Sequence, residues 1–531
     1  MRKTTKKLAS VLLVLALCAG SLAACSSGNN NTSGKGAASS AASNSVAEEN
    51  TGEIPHYKII ATLNTATEDL NENPFYEQLA KDAGIEVEYE CINSGWGEKR
   101  AALLASNDLP DAFIGWQVLT QSDVANNQPL FANLGEMITE ENTPNLKAFI
   151  DSDSDFRDAC TDVNGNLYYL SDQALFRPST YYSILMNTQW LNKLNLKVPT
   201  TLDEFEKVLV AFRDQDPNGN GEADEIPIYG SYANILRGSF DVQNSLNYDY
   251  LRQENGQVVF LPTKDNWKEL MKYSHHLLEE GLIPEETITA DWAQQSARLG
   301  TEIPTVGVTT AWIKDPINIE YQDQYEAIAP LKGPDGAQYI AGNLIYSTYD
   351  GQPKFVMSAN CENKEALMRF VDSFFIPENS AQLSRGPIGL TLTKNDDGTL
   401  TINDPPEGMD WDTWLYKYAL KDSIPTMGGD TVESLFTGPN GDYLIKQGYD
   451  EMYQPYINWD INLPTLKFTE DESAEMSMIQ TDVNDFVATT CATWFVNGGI
   501  DEGWDSYLAE LENMGLSRLI EIYQAAYDRT K

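Results

Sequence analysis

Histidine, cysteine and basic side chains are all scarce in this 531-residue chain. Three histidines, His56, His275 and His276, supply too little imidazole for a metal cluster or a proton relay, and the adjacent pair falls in one helical stretch where packing or surface exposure suffices. Lysine and arginine total 36 against 79 acids, a formal charge of −43. Such a field repels phosphate backbones and anionic headgroups, which excludes nucleic acid as a partner. The six cysteines, Cys18, Cys25, Cys91, Cys160, Cys361 and Cys491, form no CxxC pair. Neither zinc-ligand spacing nor a disulfide framework is indicated, and the last four read as small buried hydrophobes. HExxH, GxSxG and a Walker loop are missing, which removes the common signatures of zinc proteolysis, serine hydrolysis and nucleotide binding. No internal repeat is visible, and no stretch after residue 24 is apolar enough to span a bilayer, so the chain is not read as a channel or transporter.

The N-terminal segment carries the address. Arg2, Lys3, Lys6 and Lys7 precede an apolar run from Leu8 to Ala24, the pattern of a secretory signal. Leu22-Ala23-Ala24-Cys25 looks like a bacterial lipobox, in which small residues precede a cysteine that becomes the lipidated N-terminus. Residues 26–54, rich in Ser, Asn, Ala and Gly, cannot build a core and read as a tether. The expectation is a signal peptide over 1–24, then a lipidated Cys25 and tether over 25–54. The folded part is then held at the extracellular face of the cytoplasmic membrane.

The remaining chain is too long for one core. Strand patterns at Tyr57–Leu63, Ile85–Tyr89 and Asp111–Trp116 alternate with helices at Pro74–Ala83 and Glu98–Ala105, a rhythm that predicts an α/β lobe with a largely parallel sheet. A second rhythm starts at Ile184–Met186. It continues through a helix opened by the capping box Thr201…Glu204, a helix at Trp267–Glu280 and a strand at Thr305–Thr310. Amphipathic stripes follow at Leu367, Phe370, Val371, Phe374 and Phe375, at Trp504, Tyr507, Leu508 and Leu511, and at Leu516, Leu519, Ile520 and Tyr523. All are read as core packing. The fold class expected is α/β, two-lobed and hinged, with a ligand cleft between lobes. The expected division is 55–178 with 345–395 for the first lobe, and 179–344 with 396–531 for the second.

The sharpest chemical motif is Asp216-Pro217-Asn218-Gly219-Asn220-Gly221-Glu222-Ala223-Asp224-Glu225. Oxygen-bearing side chains alternate, and a glycine at the sixth position permits the turn that a calcium loop needs. The twelfth position holds Pro227 instead of the bidentate Glu, so the loop is not an EF-hand. Asp224 and Glu225 would close the shell, with Asp216, Asn218, Asn220 and the carbonyl of Glu222. A structural Ca²⁺ is the reading, since four acids and two asparagines packed together repel without a cation.

The run Asn187-Thr188-Gln189-Trp190-Leu191 through Val198-Pro199-Thr200-Thr201-Leu202-Asp203-Glu204-Phe205, followed by Asp216 to Pro227, resembles bacterial extracellular solute-binding proteins of family 1, in the large lipoprotein and alginate-binding branch. Glu98 to Asp111, Phe468 to Glu472 and Trp504 to Arg529 are similar to other segments of that family. The resemblance implies two lobes that close like a trap, a carbohydrate ligand, permease subunits and a cytoplasmic ATPase. It also implies calcium at the same six loop residues. The Ser384-Arg385-Gly386-Pro387-Ile388-Gly389 turn departs from the family pattern at a loop expected to border the cleft, so ligand identity does not transfer.

Sugars present C–H faces and hydroxyls, and sites answer with aromatic platforms and a few polar anchors. Aromatics after strands or at helix starts are therefore the candidate contacts: Trp96, Trp116, Tyr182 with its neighbour Tyr181, Trp312, and Trp411, together with Arg385. The function expected is capture of an oligosaccharide by a monomeric receptor of an ABC importer, without catalysis. The rival is a surface glycoside hydrolase using two carboxylates.

Overall fold

The computed structural model describes residues 54–173, 179–245, 248–314, 316–341, 351–407, 409, 411–420, 423–437 and 441–531. The signal segment, Cys25 and the tether as far as residue 53 lie outside the described residues. Two sheets organise the chain: β1 (His56–Thr62), β2 (Glu86–Ile92), β3 (Ala112–Gly115), β4 (Tyr169–Leu170), β5 (Ser183–Asn187), β6 (Ile226–Ile228), β7 (Val306–Ala311), β8 (Tyr325–Ala327) and β9 (Phe355–Met357). The helices that matter for the site are α1 (Gln121–Asn126), α2 (Leu202–Asp214), α3 (Asp265–Glu279), α4 (Trp292–Leu299), α5 (Gly441–Tyr453) and α6 (Glu470–Asn497).

The first sheet has the order β2-β1-β3-β9-β4. β1 pairs in parallel with β2 and β3, as the β-α-β-α-β rhythm predicts, whereas β9 is antiparallel to both β3 and β4. The second sheet has the order β8-β5-β7-β6, and only β6 and β7 are parallel. The largely parallel expectation therefore holds for β1–β3 alone. β5 and β9 each follow a crossing from the other lobe, so their direction is not set by a right-handed β-α-β connection.

Each sheet carries its own core. The first gathers Ile59, Ile60, Phe113, Ile114, Phe355 and Phe375, and the helix stripe with Leu367, Phe370, Val371 and Phe374 packs into it. Leu420 and Ile424 belong to this core, and Lys417 reaches Glu68 at 3.1 Å, so these three residues lie on the first sheet's side. The second core gathers Trp190, Phe205, Phe212, Val308, Trp267 and Val483, and the C-terminal stripes with Trp504, Tyr507, Leu511, Leu516, Leu519 and Tyr523 join it. Its centre is the contact of α2 with the second sheet. Phe212 stands edge-on to Trp190 at 5.2 Å, and its ring lies where a Cβ on Gly307 of β7 would sit, 2.5 Å away. Glycine in that strand is a matter of close approach, since the ring fills the space a side chain would need.

Phe212→Ala removes a fully buried ring from a site that strand geometry prevents from collapsing, so a loss of about 3–5 kcal/mol is expected. A leftward shift of the urea-unfolding midpoint measures it, and an unmoved midpoint would contradict this account of the second core.

Candidate functional site

The carboxyl ends of the strands build the site. Gly115 ends β3 with a φ of +131° and Thr62 leaves no room for a Cβ there, so both demand glycine, and the Thr62 hydroxyl donates to the Trp116 carbonyl at 2.9 Å. Trp116 is thereby held 48 % exposed just past the carboxyl end of the central strand β3. The fully buried Lys354, just before β9, sets its ammonium 4.0 Å from the Trp116 ring centre and 3.6 Å from the Asp172 carboxylate.

Asp172 begins the segment that crosses to the second sheet. The far end of that segment is gripped by α5. Asp450 accepts the backbone N–H groups of Ser179 and Thr180 at 2.8 and 2.9 Å. Lys446, one turn earlier, donates to the Tyr181 carbonyl at 3.1 Å and the Ser183 hydroxyl at 3.3 Å. The Tyr453 hydroxyl accepts from Ile184 N at 2.9 Å and donates to the Ile328 carbonyl at 3.0 Å. Positions 446, 450 and 453 share one helical face. The same Lys446 ammonium lies 4.7 Å from the Trp312 ring centre, and Tyr181 meets Trp312 edge-on at 5.4 Å and Tyr182 at 4.7 Å. Burial pushes the Lys446 ammonium down to about 7, against a smaller opposing effect from Asp450.

Two cavities flank this waist. One of about 1300 Å³, part of it open solvent, lies in the second lobe under Tyr182, Tyr232 and Trp292. Trp292 opens α4 behind the Asp291–Gln294 capping box and stays 54 % exposed. In the wall, the Gln295 amide donates to the Thr309 hydroxyl at 3.0 Å and the Thr310 carbonyl at 2.9 Å. The other cavity, about 1050 Å³ with its open part, is shared between Gln121 and Tyr169 of the first lobe and Lys467, Met476, Gln480 and Tyr523 of the second. At this junction Lys467 donates to the Thr161 hydroxyl at 2.9 Å, and Asn126 of α1 donates to Ser477 of α6 at 3.4 Å.

Of the sequence-named contacts, Tyr182 lines a cavity, and Trp116 and Trp312 stand at the waist, each beside a buried lysine. Trp96 is half-buried and donates its indole N–H to the Val118 carbonyl at 2.8 Å while its ring packs near Phe113. Its polar handle is spent on packing. Arg385 ends the helix Pro377–Arg385, whose Leu383 belongs to the first core, and it lines neither cavity. Trp411 opens the helix Trp411–Tyr418, and its side chain lies outside the described residues. Trp292 was missed, although an aromatic at a capped helix start is the signal used for the others. Gln295, Gln121 and Gln480 carry no local pattern at all.

The acidic loop folds as a chain of side-chain turns between α2 and β6. Asp216 accepts from Gly219 N at 2.9 Å and Gly221 N at 3.1 Å. Asn218 and Asn220 accept from Asn220 N at 2.9 Å and Glu222 N at 2.7 Å, and both amides donate to Asp224, at 2.8 and 3.0 Å. Glu225 is pushed up, first by burial and then by the charges of Asp216 and Asp224. Among the described residues no group of three or more His, Cys, Asp or Glu is arranged to hold a metal ion. Any ion here would have to draw on the amide and backbone oxygens as well.

Two α/β lobes, a pinned crossing between them and aromatic-lined cavities beside it define a two-lobed, periplasmic-binding-protein-like ligand trap. Residues 67–380 match the model of the bacterial extracellular solute-binding proteins, and the chain belongs to that family, as the run from Asn187 to Pro227 implied. The fructooligosaccharide ABC transporter substrate-binding protein FusA of Streptococcus pneumoniae is 30 % identical, the match covering 91 % of this chain and 94 % of that one. Its structure with kestose superposes with a TM-score of 0.81 at 27 % identity, over 90 % of this chain and 99 % of that chain; a FusA EF-hand mutant with fructo-nystose gives the same figures. The polygalacturonan/rhamnogalacturonan-binding protein YtcQ of Bacillus subtilis is 22 % identical over 86 % of this chain and 88 % of its own.

Because the native pKa of Lys446 lies below that of an unfolded lysine, the native state binds fewer protons between about pH 7 and the ordinary lysine range. The burial penalty is complete below pH 7 and fades as pH rises. Stability of the wild type relative to Lys446→Met should therefore increase from pH 6 to pH 9 in urea unfolding. A difference independent of pH would refute the buried, desolvated ammonium.

Proposed function

We propose that this chain is the extracellular receptor of an ABC importer, anchored through a lipid on Cys25, which captures a soluble oligosaccharide between its lobes. It hands the sugar unchanged to membrane permease subunits that a cytoplasmic ATPase drives. The receptor works as a monomer. The first lobe comprises 55–178 and 345–395 and takes in the stretch around Leu420 and Ile424; the second comprises 179–344 and the rest of 396–531.

The observation that carries the reading is the cavity under Tyr182 and Trp292. A half-exposed indole in a cavity that tyrosines also line, with the Gln295 side-chain oxygen left to accept, matches what a sugar offers: C–H faces for stacking and hydroxyls for hydrogen bonds. Trp116 and Trp312, each backed by a lysine ammonium, would border the ligand at the waist. FusA is named for fructooligosaccharides, which makes short fructans the first ligands to try. No bond is made or broken in this cycle; binding energy goes into closure of the lobes.

The loop of Asp216, Asn218, Asn220, Glu222, Asp224 and Glu225 holds a structural Ca²⁺ in this reading. The raised Glu225, pushed up by burial and by the charges of Asp216 and Asp224, fits a place where carboxylates converge. Its role is to tie the end of α2 to β6. The Lys193 ammonium, which donates to the Pro217 and Asn218 carbonyls at 2.8 and 3.3 Å, links the same loop to the helix Thr188–Lys193.

Titration calorimetry with kestose should give saturable binding with quenching or enhancement of tryptophan fluorescence, and Trp292→Ala should weaken it roughly tenfold through lost stacking. Chromatography of the incubated sugar should show no product; steady release of shorter sugars would replace a receptor with a hydrolase. For the loop, excess calcium should raise the melting temperature. A hundredfold excess over Kd contributes about 2.7 kcal/mol, and chelation or Asp216→Ala should erase the gain. A melting temperature indifferent to calcium would remove the ion.

A further inference from the structure

The long helix α6 touches both cavities. Met476 and Gln480 line the junction cavity, and Ala488 and Cys491 line the cavity under Trp292. Gln480 and Ala488 are eight residues apart, about 12 Å along the helix. Ser477, Asn484 and Ala488 follow one another at i, i+7 and i+11, which puts them on one face. At Ser477 that face meets the first lobe through Asn126. Towards the C-terminus it opens: Asn484 is only half-buried and Ala488 is exposed. The Asn484 side chain has no hydrogen-bond partner among the described residues, which leaves one acceptor and two donors available. The Gln480 carbonyl oxygen accepts from the Tyr523 hydroxyl at 3.1 Å, and its amide nitrogen is left over.

The charges lining the cavities are balanced and engaged. The junction cavity holds Asp162 and Lys467, the other holds Arg237 and Asp291. Lys467 donates to Thr161, and Asp162 accepts Asn164 N and Asn166 N, both at 2.8 Å. Arg237 lies over the Trp267 ring at 5.6 Å, and Asp291 caps α4. Neither cavity offers a cation in excess for a sugar carboxylate.

Resting on the receptor reading above, we infer that the ligand is a neutral linear oligosaccharide laid along the open face of α6, reaching from the Trp292 cavity to the junction cavity, with Asn484 hydrogen-bonded to its middle. One sugar ring is too short to touch both ends, so recognition requires a chain. Trp292 and Tyr182 stack against one end. At the other end, where α1 meets α6, the free Gln480 amide nitrogen donates to one sugar hydroxyl, and the Gln121 side-chain oxygen, on an amide whose nitrogen is held by the Tyr169 hydroxyl and the Gly351 carbonyl, accepts another. Asn484 is thereby a specificity-determining residue for chain length.

The experiment is titration calorimetry of the full soluble domain with sucrose, kestose, nystose and fructosylnystose, in parallel with malto- and xylo-oligosaccharides of two to five units and with trigalacturonate. In whichever neutral series binds, affinity should rise at least about tenfold between two and four units. Asn484→Ala should weaken the four-unit sugar about fivefold, the size of one neutral hydrogen bond, and leave a two-unit sugar and the melting temperature unchanged. Equal affinity for short and long members, indifference of the long sugar to Asn484→Ala, or binding of trigalacturonate alone would overturn the inference while leaving an oligosaccharide receptor intact. Binding of none of these sugars would overturn the receptor reading and this inference together.

Discussion

The grip of α5 on the crossing segment is the constraint on which the site depends. Lys446, Asp450 and Tyr453 fasten Ser179, Thr180, Tyr181 and Ser183, and the amide of Ile184, the second residue of β5. The segment thus enters β5 in a fixed register, and everything after it in the second sheet follows. The same contact fixes Tyr181 and, through the ammonium, Trp312. A chain crossing between two lobes has no sheet partners of its own, so its backbone groups need partners from elsewhere. A helix from far along the sequence supplies them.

Both waist tryptophans are backed by a buried lysine. Burying an ammonium is costly, and a carboxylate or hydrogen-bond acceptors near at hand offset that cost: Asp172 for Lys354, the Tyr181 carbonyl and Asp450 for Lys446. The π-face of an indole adds attraction to a desolvated cation. The geometric effect is that a cation holds each ring from one side, while Trp116 keeps about half its surface exposed. Rigid aromatic surfaces on either side of a crossing suit a trap that must meet its guest with little loss of side-chain freedom.

The aromatic candidates show how far residue type alone carries. Trp96 and Trp116 both follow the same rule, an aromatic beside a strand end, yet one spends its N–H on Val118 and the other faces solvent. What separates them is the tight approach of Gly115 to Thr62, a contact between strands that no local pattern encodes. The glutamines of the cavities were invisible for the same reason. An amide becomes a site only when two distant elements place it at a gap.

The sequence by itself determined the α/β lobes, the two cores with their helical stripes, and the turn-by-turn shape of the acidic loop, because periodicity, capping and turn chemistry act over a few residues. It also carried the family. Only the tertiary structure decided the directions of β5 and β9, the packing of Leu420 and Ile424 into the first core, and the convergence of α1 and α6 on one gap. These depend on contacts between segments hundreds of residues apart, and such contacts are selected by how whole lobes pack rather than by any local preference.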